Sequence, residues 1–375
     1  MRFSAMSLAF RELLRKIGSG THTGQHLTRE EAAAAARMML LQEATPAQIG
    51  AFLIAHRIKR PTGEEMAGML DSWELLGPRL AAIASDRPVV VLGSPYDGRS
   101  RTAPISPITA LVLAASHCPV VMHGGRRMPT KEGEPLVDFW QGLGIDWTSL
   151  ALNQVQQVLA QVGLGFVYLP QHFPLAEALV PYREQIGKRP PLATLELIWS
   201  PYAGETHLVC GFVHPPTEGI MREAFALRGT CRFTTVKGLE GSCDLPRERT
   251  AICGLSQPAP SPDLEPRFQR LNLAPRSFGF EGKNVPLETF AGVVAMMEST
   301  LQGQPSEYFR STLWNSGFYL WCCGSCADIS SGIALAETLL TQGKVWQKLQ
   351  ELRQAMALMG QGPVLDTTPG TPAAE

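Results

Sequence analysis

Between Arg87 and Gly133 the chain gathers glycine, serine, histidine, lysine and an aspartate at spacings that suit an anion. Pro88 to Leu92 is a short β-branched run that stops at Gly93, as a buried parallel strand does. The loop Gly93-Ser94-Pro95-Tyr96-Asp97-Gly98-Arg99-Ser100 follows, and then Ser106-Pro107. Serine as N-cap with proline at the first helical position predicts a helix, here Ile108 to Ser116. A second β-branched run, Pro119 to Met122, closes on His123-Gly124-Gly125, with Lys131 shortly beyond. In such a βαβ unit the loop and helix start lie at the C-terminal strand ends, where open α/β sheets bind ligands. A helix N-terminus beside a glycine loop offers unpaired N–H groups and a positive dipole end, and its usual ligand is a phosphate.

Three chemistries compete for this unit. A nucleoside-triphosphate loop nearly fits at Gly93–Ser100, but its lysine is Arg99, Pro95 removes an N–H, and Pro104 and Pro107 keep a helix from opening directly. A dinucleotide fold lacks its GxGxxG signature. A phosphate or diphosphate site of another kind, with Asp97 and Ser106 near a metal, stays open beside a loop that merely turns the chain.

The elements that must position these residues fall into two groups. Residues 1–77 read as helices only. They are Ser7 to Ile17, a stretch through Leu41 capped by Thr28 with Glu31, a third begun by Thr45-Pro46, and a fourth capped by Thr62 with Glu65. His56 reads as a surface or interface histidine. From Pro88 strands and helices alternate as in a mostly parallel sheet covered by helices. The strands are expected at 163–169, 208–213 and 233–236, and the helices at 136–143, 173–186 and 219–228. Pro246 to Pro286 is proline-rich, with 251–255 an edge-strand candidate. Helices are expected at 287–301, 309–323 and 329–359, the last broken at Gly343, and residues 360–375 as a disordered tail.

With 375 residues, 45% hydrophobic and 18% charged, the chain is long enough for two domains and a sizeable core. A net charge of −1 leaves no overall footprint for nucleic acid. There is no apolar run of membrane-spanning length and no signal-peptide core, so a cytoplasmic location without membrane attachment is expected. Eight irregularly spaced cysteines then read as reduced thiols. Cys323-Gly-Ser-Cys326 has metal-like spacing without a second pair, and reads as small residues inside an apolar helix.

The residues also resemble a family. QIGAFLIAHRIKRPTGEEMAGM (48–69) looks like the helices of anthranilate phosphoribosyltransferases, part of glycosyltransferase family 3. GSPYD, APIS and MHGGR are similar to that family's GTGGD, NIST and KHGNR. Residues 183–201, REQIGKRPPLATLELIWSP, resemble RxELGxRTxFNxxGPLxNP, and VKGLEGSCDL (236–245) resembles VHGxDGLDEI. The resemblance runs in order from residue 4 to 359. It implies a small helical domain, residues 1–77 joined by roughly 170–190, on a larger α/β domain at 78–359 of the nucleoside phosphorylase/phosphoribosyltransferase type. It further implies phosphoribosyl pyrophosphate with Mg²⁺ and an aromatic nitrogen acceptor. Gly93 and Asp97 would face pyrophosphate and ribose, and His123, Gly124 and Lys131 would line the phosphate side. Ser106 would hold metal and cap its helix, with Asp244 as the remaining carboxylate of the family's metal pair and nearby Glu240 as the substitute for the other. Arg183 would meet the acceptor's carboxylate.

The departures from the family are concentrated at the chemistry. Its paired glycines before the aspartate are Pro95 and Tyr96. The lysine and asparagine of KHGNR are Met122 and Gly125, and its Asp-Glu metal pair is Cys243-Asp244. Two functions follow. One is a divergent phosphoribosyltransferase with an altered acceptor. The other is a catalytically inactive relative acting as a binding protein, with nucleic acid as a less favoured partner on the basic residues Arg99, Arg101, Arg126, Arg127 and Lys131. Met38, Leu41, Phe52, Leu53 and Ile54 predict an apolar patch on the helical domain and so a homodimer.

Overall fold

The computed structural model describes residues 5–20, 23–259 and 266–360. Four helices come first: α1 (Ala5–Gly18), α2 (Arg29–Leu40), α3 (Pro46–Lys59) and α4 (Gly63–Leu76). Thr28, Thr45 and Thr62 each accept from the N3 amide while the N3 side chain returns to the cap, so three of the helices begin where local chemistry dictates. Met38, Phe52 and Leu53 face inward and are buried, so the apolar patch expected on this unit is largely its own core. The exposed large apolar residues here are Leu8, Ile58 and Leu75.

His56 is a correction, because it is only 1% exposed rather than at a surface. It lies 3.4 Å from Glu65, a wholly buried carboxylate that also accepts from Lys59 at 2.7 Å and from the Leu27 amide at 2.9 Å. Burial pushes the Glu65 carboxyl up, but His56 and Lys59 outweigh it and hold it at about 2. A carboxyl lowered from 4.5 to about 2 stabilises the fold at neutral pH by about 3 kcal/mol. That contribution is complete above about pH 4.5 and should be lost as pH falls toward 2. In urea melts against pH, Glu65→Gln should flatten the acid limb of the wild-type profile.

The rest of the chain builds one seven-stranded sheet of order β3-β2-β1-β4-β5-β6-β7. Strand β1 (Val89–Gly93) leads through α5 (Ser106–Ala115) to β2 (Val120–Gly124), and α6 (Leu136–Gly142) and α7 (Leu152–Val162) precede β3 (Leu164–Tyr168). The chain then crosses to the helical unit in short pieces: α8 (Leu169–His172), α9 (Pro174–Glu177), α10 (Val180–Ile186) and α11 (Leu192–Ile198). The single helix expected at 173–186 is broken, with Pro174 and Pro181 each starting a new turn. Here Phe173 packs edge-on against Trp73 at 5.2 Å, and Tyr182 donates to Gln42 at 2.7 Å. β4 (Thr206–Gly211), α12 (Pro215–Leu227) and β5 (Phe233–Val236) complete the parallel part.

Two antiparallel strands close the sheet, β6 (Ala251–Gln257) and β7 (Arg267–Leu273). Residues 251–255 are therefore not the edge. The edge is β7, an exposed and largely polar strand that hydrophobic periodicity did not mark. Helices α13 (Phe290–Leu301), α14 (Glu307–Cys322), α15 (Ile329–Thr341) and α16 (Lys344–Gly360) end the chain, with Gly343 at φ 71° breaking the last pair. The tail expected at 360–375 lies, beyond Gly360, outside the described residues. No described helix is long and apolar enough to cross a membrane.

Candidate functional site at the strand ends

The loop after β1 is zipped to the segment after β2. The Arg99 amide donates to Glu134 at 2.9 Å, and the Gly133 amide donates to the Asp97 carbonyl at 3.1 Å. Gly93 ends β1 where a Cβ would stand 2.4 Å from the Leu197 carbonyl, so its role here is close packing of α11 on the sheet. Gly124 ends β2 over the Phe166 ring. Asp97 is 2% exposed, and the Arg189 guanidinium lies 2.5 Å from its carboxylate.

Ser106 does not cap its helix. Ile105 occupies the cap position without a side-chain bond, and Ser106 is the first helical residue. Its hydroxyl is buried without a hydrogen-bond partner among the described residues. The proline signal located the helix start correctly, yet the serine is displaced by one residue.

His123 is wholly enclosed. Its Nδ1 lies 2.7 Å from the Tyr96 hydroxyl, and its ring meets Trp199 edge-on at 5.1 Å. Burial pushes His123 down to about 3, so it is neutral at physiological pH and brings no charge to a phosphate. Tyr96, at a position where the family has glycine, thus fills space inside the loop with a ring.

The two expected metal carboxylates are already paired. Arg99, 2% exposed, donates to Asp244 at 2.6 Å and to Ser242 at 2.8 Å, and its Nε lies 3.4 Å from Glu240. Asp244 also accepts from the Ile105 amide at 3.0 Å. Glu240 accepts from the amides of Ser100, Arg101 and Thr102 at 3.2, 3.1 and 2.9 Å. Burial raises its carboxyl, but Arg99 and these donors hold it at about 2. Lys131, half-buried, stands 3.7 Å from Glu240, and burial lowers its ammonium. Among the described residues no group of three or more histidine, cysteine or acidic side chains is placed to hold a metal ion. Arg99 thus occupies the space between the two carboxylates that Mg²⁺ would share.

Arg183 is likewise engaged. It is 3% exposed and forms an ion pair with Glu196, itself buried, with a second contact at 3.4 Å. Glu196 stands where the family motif RxELGxRTxFNxxGPLxNP has the glycine before its Pro-Leu, a departure not recognised from sequence. Burial raises the Glu196 carboxyl, and Arg183 opposes that rise.

The expected basic stripe is also redistributed. Arg99 turns inward, Arg126 pairs with Glu177 at 2.6 Å and Arg127 with Glu134 at 2.6 Å. The open space lies nearby, in a cavity of about 580 Å³ between the end of α3, the 189–197 segment, the end of β4 and the start of α12. Arg57, Arg60, Arg189 and His214 line it, and no acidic side chain does. Arg57 and Arg60 lie in the 48–69 segment that resembles the family but were given no binding role there; the meeting of α3 with the strand ends brings them to the cavity.

The likeness to known proteins is extensive. Residues 11–72 match the helical bundle domain of a glycosyl transferase family, and residues 97–346 match that family's α/β domain. The anthranilate phosphoribosyltransferase of Chromobacterium violaceum is 29% identical over 332 residues, 88% of this chain and 94% of that protein. The one from Rhodopseudomonas palustris is 28% identical over 348 residues, 92% and 97% of the two chains. In fold, the Thermus thermophilus anthranilate phosphoribosyltransferase superposes with a TM-score of 0.75 at 20% identity, covering 93% of this chain and 99% of that one. The Saccharomyces cerevisiae enzyme, in complex with PRPP and Mg, superposes with a TM-score of 0.78 at 15% identity, covering 95% and 100%. Matched in both domains and in order, the chain belongs to this glycosyl transferase family as an anthranilate phosphoribosyltransferase-like member.

Proposed function

We propose that this protein takes a phosphorylated small molecule of the phosphoribosyl pyrophosphate kind at the strand ends, and that it does so without a divalent metal. The likeness to anthranilate phosphoribosyltransferases supports phosphoribosyl transfer as the reaction class. The observation that carries the binding reading is the cavity lined by Arg57, Arg60 and His214, with Arg189 at its wall paired to Asp97 and no carboxylate in the lining itself. Guanidinium groups suit phosphate oxygens, and their charge stands in for a metal's in holding a diphosphate leaving group. In this reading Lys131 adds a further cation from the β2 side. The acceptor is a nitrogen compound without a carboxylate, because Arg183 already holds Glu196.

Calorimetric titration with phosphoribosyl pyrophosphate tests this. Binding should be unchanged by Mg²⁺ or by chelator. Arg60→Ala and Lys131→Ala should each weaken it roughly tenfold to a hundredfold, the loss expected for one charge-assisted contact. Absence of binding at millimolar ligand overturns the reading.

A second reading rests on the same arginines and on the self-paired site: a catalytically silent protein that binds nucleic acid phosphates in this cleft. A DNA mobility shift that weakens steeply with salt, without phosphoribosyl pyrophosphate binding, selects it. The reading also keeps a homodimer paired through the N-terminal helices, where Leu8, Ile58 and Leu75 are exposed. Sedimentation giving a monomer at tens of micromolar counts against that pairing.

A further inference from the structure

Far from the cavity, at the N-terminal edge of the sheet, the Cys323-Gly-Ser-Cys326 motif is not inside a helix as its surroundings suggested. It forms the turn between α14 and α15, with Cys323 at the helix end and Gly324 at φ 72°. That turn closes over Cys118, which lies between α5 and β2 and is wholly buried. Arg87 donates to the Cys118 sulfur at 3.1 Å and also bonds Ser325, whose hydroxyl is 3.0 Å from the same sulfur. Cys323 ends α14 two residues before Ser325, in the same turn that covers the Cys118 sulfur.

We propose that Cys118 and Cys323 are an oxidisable dithiol, which a hydroperoxide converts to a disulfide tying the start of β2 to the turn after α14. The electrostatics divide the roles. The hydrogen bond from Cys323, joined by Ser325 and Arg87 and opposed by burial, holds Cys118 down at about 5, so it is a thiolate at neutral pH. The bond to Cys118 and burial push Cys323 well above the ordinary thiol range, so it keeps its proton. Cys323, Ser325 and Cys326 are half-buried, so the turn is where a small oxidant reaches the cluster.

The chemistry balances in two steps. The Cys118 thiolate attacks one peroxide oxygen, the O–O bond breaks, and the departing hydroxide takes a proton to become water. That leaves Cys118 as a sulfenic acid. The Cys323 sulfur then attacks the sulfenic sulfur, the S–S bond forms, and the hydroxyl leaves with the Cys323 proton as a second water. The two sulfurs together lose two electrons, and the peroxide gains them.

The molecule supplies its own controls. Cys210, Cys243 and Cys253 are as buried as Cys118 and Cys322 nearly so, but among the described residues no cation bonds their sulfurs and burial raises each of these four above the ordinary range. The test treats the folded full chain with hydrogen peroxide at pH 7, blocks remaining thiols with iodoacetamide, and maps peptides by mass spectrometry. The expected result is a 118–323 cross-linked peptide, lighter by two hydrogens and cleaved by dithiothreitol, while the four control cysteines stay reduced. In Cys323→Ser the reaction should stop at a Cys118 sulfenic acid trapped by dimedone. Arg87→Met should slow cross-linking severalfold. The proposal is overturned if the 118–323 peptide does not form, whether or not the control thiols oxidise, or if Cys323 links to Cys326 and leaves Cys118 free. Should Cys323→Ser not fold, the wild-type peptide map decides alone.

Discussion

Replacing Arg99 by alanine should destabilise the protein by about 3–5 kcal/mol, because two buried carboxylates, Asp244 and Glu240, lose their common cation at once. The loss follows from the asymmetry of buried pairs: forming one brings little net gain, but removing one partner strands a charge in a low-dielectric interior. The same substitution opens space between Asp244, which matches one member of the family's metal pair, and Glu240, which could stand in for the other. Arg99→Ala should therefore acquire a divalent-ion response that the wild type lacks. Thermal melts with and without millimolar Mg²⁺ check both parts. A raised melting temperature in the variant alone supports Arg99 as the fixed cation of this site. An equal Mg²⁺ response in the wild type would show that the guanidinium yields to a metal, and would remove metal independence from the proposed function.

Glu196→Gly should have an effect of similar size, about 3–5 kcal/mol, since it leaves the Arg183 guanidinium buried and unpaired. It also restores the glycine of the family motif and vacates the position of a carboxylate beside Arg183. Millimolar anthranilate or benzoate should then raise the melting temperature of Glu196→Gly while leaving the wild type unchanged. Binding lowers the free energy of the folded state only where the site is free to accept the ligand. If both proteins respond equally, Glu196 does not exclude carboxylate acceptors. Tyr96 against His123 makes the variant's response modest, because the ring still narrows the loop.

What the sequence determined by itself was local or periodic. Thr28, Thr45 and Thr62 start their helices because each cap and its N3 partner lie three residues apart and need nothing else from the chain. The strands at 89–93 and 120–124 are legible because buried parallel strands open as β-branched runs, and those at 164–168 and 233–236 because short apolar or β-branched stretches alternate with helices. The family motifs, in order, carried the fold. β7 was missed because an exposed edge strand satisfies its backbone on one neighbour and needs no apolar pattern.

The character of the site was decided only by the tertiary structure. Arg99 and Arg101 are neighbours of one type in the sequence, yet one is buried between carboxylates some 140 residues away and the other reaches solvent. Nothing within a few residues of either distinguishes them. Glu196 drew no reading from its own neighbourhood, and only the packing of α10 and α11 brings it onto Arg183, while His56 reads as a surface histidine until α4 places Glu65 beside it. Ser106 departs from its local signal too, since Ile105 takes the cap position and Ser106 becomes the first helical residue. A charge's partner depends on the packing of distant elements. Residue type and local spacing could nominate these residues, and only the assembled fold could say which of them are already taken.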